Sequence, residues 1–155
     1  MKRVCFLIIF CLLISGCESV KNDMPVQLVA EKLGEKISNF EHLGTASADY
    51  IKYCMQSDLT LYAEYTVLYP FSGTKYNEIG IFKVKSNDDL SKGLKEVKNY
   101  LLFKKSNWDT RYNSQELSKI NNAKICHCGN YILYTILAEN EESAVIKEFK
   151  TVLKK

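Results

Sequence analysis

The apolar residues of this chain repeat with the period of a helix in several separate segments. Between Val26 and Phe40 they recur every three or four positions with charged residues between them, which predicts an amphipathic helix. A shorter helix is expected from about residue 47 to residue 56, and its apolar side carries Ile51, Cys54 and Met55. The first half of the chain therefore begins with two helices.

Two further helices follow in the second half. One carries an apolar stripe made of Leu90, Leu94, Val97 and Leu101 and should end near Lys104-Lys105. The last helix is expected from about residue 141 to residue 153, capped by Asn140, and should bury Val145, Phe149 and Val152.

Four segments have the composition of strands instead. Residues 59–69 are rich in β-branched and aromatic side chains, and residues 78–85 read as the next strand. Residues 124–128 and 131–137 are joined by Gly129-Asn130, a pair suited to a two-residue hairpin turn. Pairing Cys128 with Tyr131 predicts a register in which Cys126 faces Leu133 and Ile125 faces Tyr134.

The predicted element order is helix, helix, strand, strand, helix, strand, strand, helix. Successive strands are close enough in sequence to pair antiparallel. The sequence therefore predicts an α+β fold with two layers, an antiparallel sheet of about four strands packed against helices.

The first seventeen residues follow the pattern of a secretory signal. Lys2 and Arg3 precede an apolar run, and the small pair Ser15-Gly16 stands directly before Cys17. The apolar run is too short to span a bilayer. A cysteine directly after the cleavage site indicates a lipobox, in which the Cys17 thiol takes a diacylglyceryl group. The alternative is an ordinary secretory signal with an incidental cysteine.

This interpretation divides the chain into three parts. Residues 1–16 are the lipoprotein signal peptide, residues 17–24 the lipidated N-terminus with a short tether, and residues 25–155 a single globular domain. A tether of six residues reaches only about 20 Å. We therefore expect the domain to lie close to the extracytoplasmic face of a cell membrane, held there by its lipid.

Charge argues against nucleic acid as a partner. The chain has 21 Lys and Arg against 18 Asp and Glu, and signal removal takes away two of the basic residues. The mature protein is therefore nearly neutral and lacks the basic excess that phosphate backbones require.

Cys126-His127-Cys128 is the sequence feature closest to a metal or catalytic motif. Side chains alternate along a strand, so the two thiols point one way and the imidazole the other. Zinc ligation would need further ligands, for which only Cys54 and His42 remain, and a cysteine–histidine catalytic pair lacks any supporting motif. We expect a structural role, with no metal, no cofactor and no catalytic residue.

Aromatic residues are the one feature that suggests a recognition surface. Regular alternation in the first strand would place Tyr62 on the face of Glu64 and Thr66, away from Tyr65, which favours its exposure. Tyr and Trp combine an apolar body with a polar tip, so they serve both cores and interfaces. Candidate ligand contacts are Tyr62, Trp108 and Tyr112.

Several short motifs carry a resemblance to a known family. After the lipobox and first helix come Tyr69-Pro70-Phe71-Ser72-Gly73, the stretch from Asn77 to Lys85, and later Ile120-Asn121-Asn122-Ala123-Lys124 and Gly129-Asn130-Tyr131-Ile132-Leu133. In this order the chain resembles the bacterial lipoproteins of domain of unknown function 4358. The resemblance implies a membrane-anchored extracytoplasmic lipoprotein, and it supplies no catalytic residue to carry over.

Two functional classes follow from the sequence. The favoured one is a non-enzymatic binding or accessory protein at the cell envelope, with an envelope protein or a small ligand as partner. The alternative is a cell-envelope enzyme whose site has no recognisable motif.

Overall fold

The computed structural model describes residues 19–71, 76–108 and 116–155. Cys17 and Tyr112, both named by the sequence analysis, lie outside the described residues. A five-stranded antiparallel sheet, in the order β1-β2-β3-β5-β4, forms the centre of the fold. Its strands are β1 Leu43–Thr45, β2 Tyr62–Pro70, β3 Glu78–Val84, β4 Lys124–Cys128 and β5 Tyr131–Ile136.

Helices cover both faces of this sheet. Within the described ranges, the α-helices are α1 Val26–Gly34, α2 Leu90–Asn107, α3 Leu117–Asn121 and α4 Glu139–Leu153. Helices α1 and α4 pack with Ile79, Ile81 and Leu133 in one core, whereas α2 packs with Phe82 and Ile132 in another. The α+β class and the antiparallel sheet are confirmed. The domain has three layers where the sequence predicted two, because the sheet is apolar on both faces.

The buried side of α2 differs in part from the predicted stripe. Gly93, Val97 and Tyr100 are its buried residues, and the predicted Leu90, Leu94 and Leu101 lie half-buried beside them. Gly93 allows the close approach, since a Cβ there would lie 2.8 Å from Cδ1 of Ile132. The helix is therefore rotated so that a glycine and a tyrosine face the sheet.

The β4–β5 hairpin has the predicted register. Cys128 pairs with Tyr131, Cys126 with Leu133 and Ile125 with Tyr134. Gly129 in the turn has a φ of +55°, the left-handed conformation that glycine adopts without strain.

Tyr62 is buried, so its expected exposure is wrong. The pairing of β2 with β3 shifts between Tyr62 and Glu64, where a bulge adds one residue to β2. This shift places Tyr62 opposite Val84, on the same face as Tyr65 and Phe82, and only 3% of its surface remains exposed.

The predicted second helix is a single π-helical turn, Tyr50–Cys54. Ile51 and Met55 are buried as expected, but Cys54 is exposed. A π turn has a wider spacing than an α-helix, which moves Cys54 off the apolar side. In the last helix the Asn140 cap is also not found, because α4 already begins at Glu139 after Ala138, and Leu153 is more deeply buried than Val152.

Part of the predicted tether, residues 17–24, is bonded to the folded domain. Val20 forms a β-bridge with Lys154, and backbone hydrogen bonds join Lys21 N to Leu153 O and Lys155 N to Ser19 O. Residues 19–21 are thus part of the folded domain. None of the helices in the described ranges is both long and apolar enough to cross a membrane.

Candidate functional site

A fully buried carboxylate, that of Glu78, lies at the first residue of β3. Its Oε1 accepts hydrogen bonds from the hydroxyls of Tyr100 and Tyr134, each at 2.7 Å. Its Oε2 accepts one from Tyr76 and an ion-pair contact from Lys104 Nζ at 2.6 Å. We call these five residues the Glu78 cluster.

Four donors saturate this carboxylate. An ionised carboxyl group offers about four acceptor sites, and each oxygen of Glu78 already accepts two contacts. Because the Tyr100 hydroxyl donates to Glu78, the neighbouring Tyr50 hydroxyl, 3.0 Å away, must donate to Tyr100. Glu78 therefore has no acceptor left for a substrate.

The local sequence explains how these groups meet. Glu78 and Gly80 are two apart on β3 and point to the same face, toward α2. Gly80 leaves room for the ring of Tyr134, since a Cβ at that position would lie 2.0 Å from Tyr134 Cε1. On α2, Tyr100 and Lys104 are one turn apart and reach Glu78 together.

Burial keeps the tyrosines of this region protonated. Burial and the Glu78 carboxylate raise the pKa of Tyr50 to about 12. The same two causes raise the pKa of Tyr76 and Tyr134, and burial raises that of Tyr100. At neutral pH the hydroxyls therefore act as hydrogen-bond donors and do not act as bases.

Backbone and side chains next to Glu78 connect the cluster to the surface. Tyr76 N donates to Glu116 Oε2 at 2.8 Å, and Glu116 forms an ion pair with Lys119 at 2.7 Å. Lys119 Nζ also donates to Asn77 Oδ1 at 2.9 Å. Residues 76–78 thus hold one polar group on the α2 side and another near the start of α4.

Two adjoining cavities open at this end of the sheet. One has a volume of about 220 Å³ and the other about 250 Å³, and they share Lys119 and Ala138 as lining residues. We call them together the acidic groove. The charged groups that the structure places along its walls are Glu116, Glu139, Glu141, Glu142 and Lys119.

The groove has a negative balance and polar walls. Glu116 is neutralised by Lys119, whereas Glu141 Oε1 accepts hydrogen bonds from the backbone N and hydroxyl of Ser38. Burial raises the pKa of Glu142, whose carboxylate accepts a hydrogen bond from Thr135 at 3.0 Å. The side chains of Asn39, Asn77, Asn122 and Asn140 add amides to the walls.

Trp108 and Tyr62, the two predicted ligand-contact aromatics among the described residues, do not come together. Trp108 is half-buried at the end of α2, and its ring meets that of Tyr76 edge to face, with centroids 5.2 Å apart. Tyr62 lies at the opposite end of the sheet, where its hydroxyl donates to Glu96 at 2.8 Å. Of the two, Trp108 adjoins the Glu78 cluster, and Tyr62 belongs to the core.

The Cys126-His127-Cys128 segment has the predicted geometry. Both thiols pack beside the core formed with α1 and α4. His127 points to the other face of β4, where it is exposed, and it is the residue paired with Ile132 of β5. Burial raises the pKa of Cys126 to about 11, so little thiolate is present at neutral pH. In the described ranges no three His, Cys, Asp or Glu side chains converge as metal ligands would.

Sequence reasoning missed the Glu78 cluster. Its members come from β3, the residues just before β3, α2 and β5, and only the folded sheet with α2 packed on it brings them together. One local signal was present, a glutamate that opens a mainly apolar strand, with glycine two residues later on the same face. Such a buried acid requires partners.

Comparison with known proteins gives one result. Neither a curated protein nor a solved structure matches the chain. The family model of Domain of unknown function (DUF4358) matches residues 38–137, a range that includes every member of the Glu78 cluster. Since this range exceeds half of the sequence, the chain belongs to the DUF4358 family.

Proposed function

We propose that this protein is a lipid-anchored, extracytoplasmic lipoprotein that binds a small cationic ligand in the acidic groove. The lipobox ending at Cys17 supports the anchor and the location at the cell membrane. The proposal makes the protein a binding or accessory component of the cell envelope and not an enzyme.

The groove is the observation that supports binding. Each of its two cavities is smaller than the pockets that hold drug-sized molecules, which start at about 300 Å³, so each suits a small ligand. With Glu116 paired to Lys119, the carboxylates of Glu139 and Glu141 set the charge of the walls. A positively charged amine with neighbouring hydroxyl groups would find carboxylate and amide partners there.

The chemistry of the described groups supports a non-enzymatic role. Glu78 is saturated by its four donors, so it is not available as a general base. The pKa of Tyr50, about 12, and that of Cys126, about 11, lie far from the values near neutrality that catalytic acids and bases need.

Binding can be tested with two sugars that differ in charge. Glucosamine carries an ammonium group at neutral pH, and N-acetylglucosamine is its neutral counterpart. In an NMR titration of the mature protein, we expect glucosamine to shift the backbone amide signals of Asn77, Asn140 and Glu141 in a saturable manner. N-acetylglucosamine should shift them much less, because the charge is missing.

A matched pair of variants identifies the responsible carboxylate. Glu141→Gln should weaken glucosamine binding. Glu35→Gln, at an exposed position directly after α1, should leave it unchanged. Saturable shifts confined to residues outside the groove, or equal shifts from both sugars, would contradict the proposed ligand class.

A further inference from the structure

The two ends of the sheet carry different features. The acidic groove lies where β5 ends and α4 begins, lined by Ala138 and Glu139. The N-terminal segment lies at the other end, where Val20 is bridged to Lys154 and packs against Gly129 of the β4–β5 turn. Helix α4 connects the two ends, and its 15 residues span about 22 Å.

Only Glu18 separates Cys17 from the first described residue, Ser19. Two residue steps cover at most about 7 Å. Ser19 is itself held by the hydrogen bond from Lys155 N at 2.9 Å. A lipid on Cys17 would therefore hold this end of the domain against the headgroups, with little freedom to turn.

The charges at this end suit a bilayer surface. Lys21, Lys154 and Lys155 lie beside the bridge between the two chain segments, and Glu18 and Asp23 are the acidic residues nearby in sequence. Lysines close to a membrane surface are attracted by anionic phospholipids. The opposite end, with its acidic groove, has the charge that such a surface repels.

We propose that the end of the domain formed by residues 19–22, the β4–β5 turn and Lys154-Lys155 is a membrane-contacting surface that binds anionic phospholipid headgroups. The acidic groove then faces away from the bilayer, about 20 Å above it, open to ligands of the extracytoplasmic space. This inference rests on the lipid anchor of the proposed function, and it adds a fixed orientation.

Tryptophan fluorescence can measure the orientation, because Trp108 is the only tryptophan of the chain. The lipidated protein is reconstituted in phosphatidylglycerol-containing vesicles whose headgroups carry a nitroxide quencher. Trp108→Phe is combined with Asn22→Trp for the proposed contact surface, or with Ser143→Trp for the groove end; both positions are exposed. We expect several-fold stronger quenching at position 22 than at position 143.

A third reporter covers the competing orientation. Leu102 and Phe103 are exposed apolar residues on α2, at 54% and 52%, and a domain lying on this side would bring them to the lipid. In the proposed orientation this side of α2 is away from the lipid, so the variant with Trp108→Phe and Leu102→Trp should be only weakly quenched. Quenching at position 102 or 143 equal to that at position 22 would overturn the orientation.

The anchor itself is checked in the same samples by intact mass. A chain without the diacylglyceryl addition would overturn the proposed anchor and, with it, this orientation. A lipidated chain with uniform quenching would overturn the orientation alone. Replacing phosphatidylglycerol with neutral phosphatidylcholine should weaken quenching at position 22, and no change would contradict the role given to the lysines.

Discussion

The ring of Tyr134 lies directly over Gly80, so closely that a Cβ at Gly80 would come within 2.0 Å of Tyr134 Cε1. This contact lets the Tyr134 hydroxyl reach Glu78. The glycine is therefore required for packing around a polar group, and not for an unusual backbone angle.

Gly80→Ala should destabilise the protein by about 1–3 kcal/mol, because a fully buried ring cannot move aside in a packed core. Gly44→Ala is the matched control. Its Cβ would also overlap a ring, that of Phe71, but this ring is 68% exposed and can rotate away. Urea unfolding of both variants checks the difference, and equal losses would contradict the assignment.

Glu78→Gln should cost about 3–5 kcal/mol, since it leaves the ammonium group of Lys104 without its buried counter-charge. The matched control is Glu35→Gln, which breaks the exposed Lys32–Glu35 pair and should change stability by less than about 0.5 kcal/mol. Chemical denaturation gives both values. If the Glu78→Gln variant is as stable as the control, the Glu78 cluster does not stabilise the fold as described.

Alkaline pH should unfold the protein by ionising its buried tyrosines. Their pKa is raised in the folded state, to about 12 for Tyr50, so their contribution is complete below the ordinary value near 10. The contribution of Tyr50 is lost as the pH rises through about 12. The tyrosinate absorbance of these residues should appear over the same pH range in which circular dichroism shows the loss of the fold. Complete tyrosine titration near pH 10 in an intact fold would argue against the buried cluster.

The thiols should differ in their reactivity. Cys54 is exposed, whereas burial raises the pKa of Cys126 to about 11. Iodoacetamide at neutral pH should therefore alkylate Cys54 well before Cys126. Peptide mapping by mass spectrometry follows the two sites in one sample, and faster modification of Cys126 would show that the strand thiol is activated.

Val97→Ala tests the rotation of α2. Val97 is fully buried, and the loss of its two methyl groups should cost on the order of 2 kcal/mol. Leu102→Ala on the same helix should have a small effect, because Leu102 is 54% exposed. Thermal unfolding of the two variants measures this difference. A larger loss of stability for Leu102→Ala than for Val97→Ala would mean that the other side of α2 packs on the sheet.

The local sequence pattern was sufficient to predict structure where the residues that determine it are adjacent in the chain. The β4–β5 register followed from the turn Gly129-Asn130 and the two-residue alternation, and it is found as predicted. Alternation failed at Tyr62, because the bulge near Ala63 depends on the pairing with β3 and has no signal within β2.

The Glu78 cluster shows the same limit at the candidate site. The sequence placed Lys104 at the predicted end of α2, whereas the folded chain turns its side chain toward Glu78 at 2.6 Å. Nothing near Lys104 in sequence indicates that partner, which is 26 residues away. Trp108 was identified through its residue type alone, and its position beside Tyr76 depends on where α2 ends.

The lipid on Cys17 is the claim on which the location, the anchor and the orientation all depend. Intact mass spectrometry of the protein purified from the membranes of its own cells tests it most directly. The account predicts a chain that begins at Cys17 and carries a diacylglyceryl group, and a Cys17→Ala variant that is released or left uncleaved. A wild-type protein that retains residues 1–16, or that is cleaved without any lipid, would contradict it.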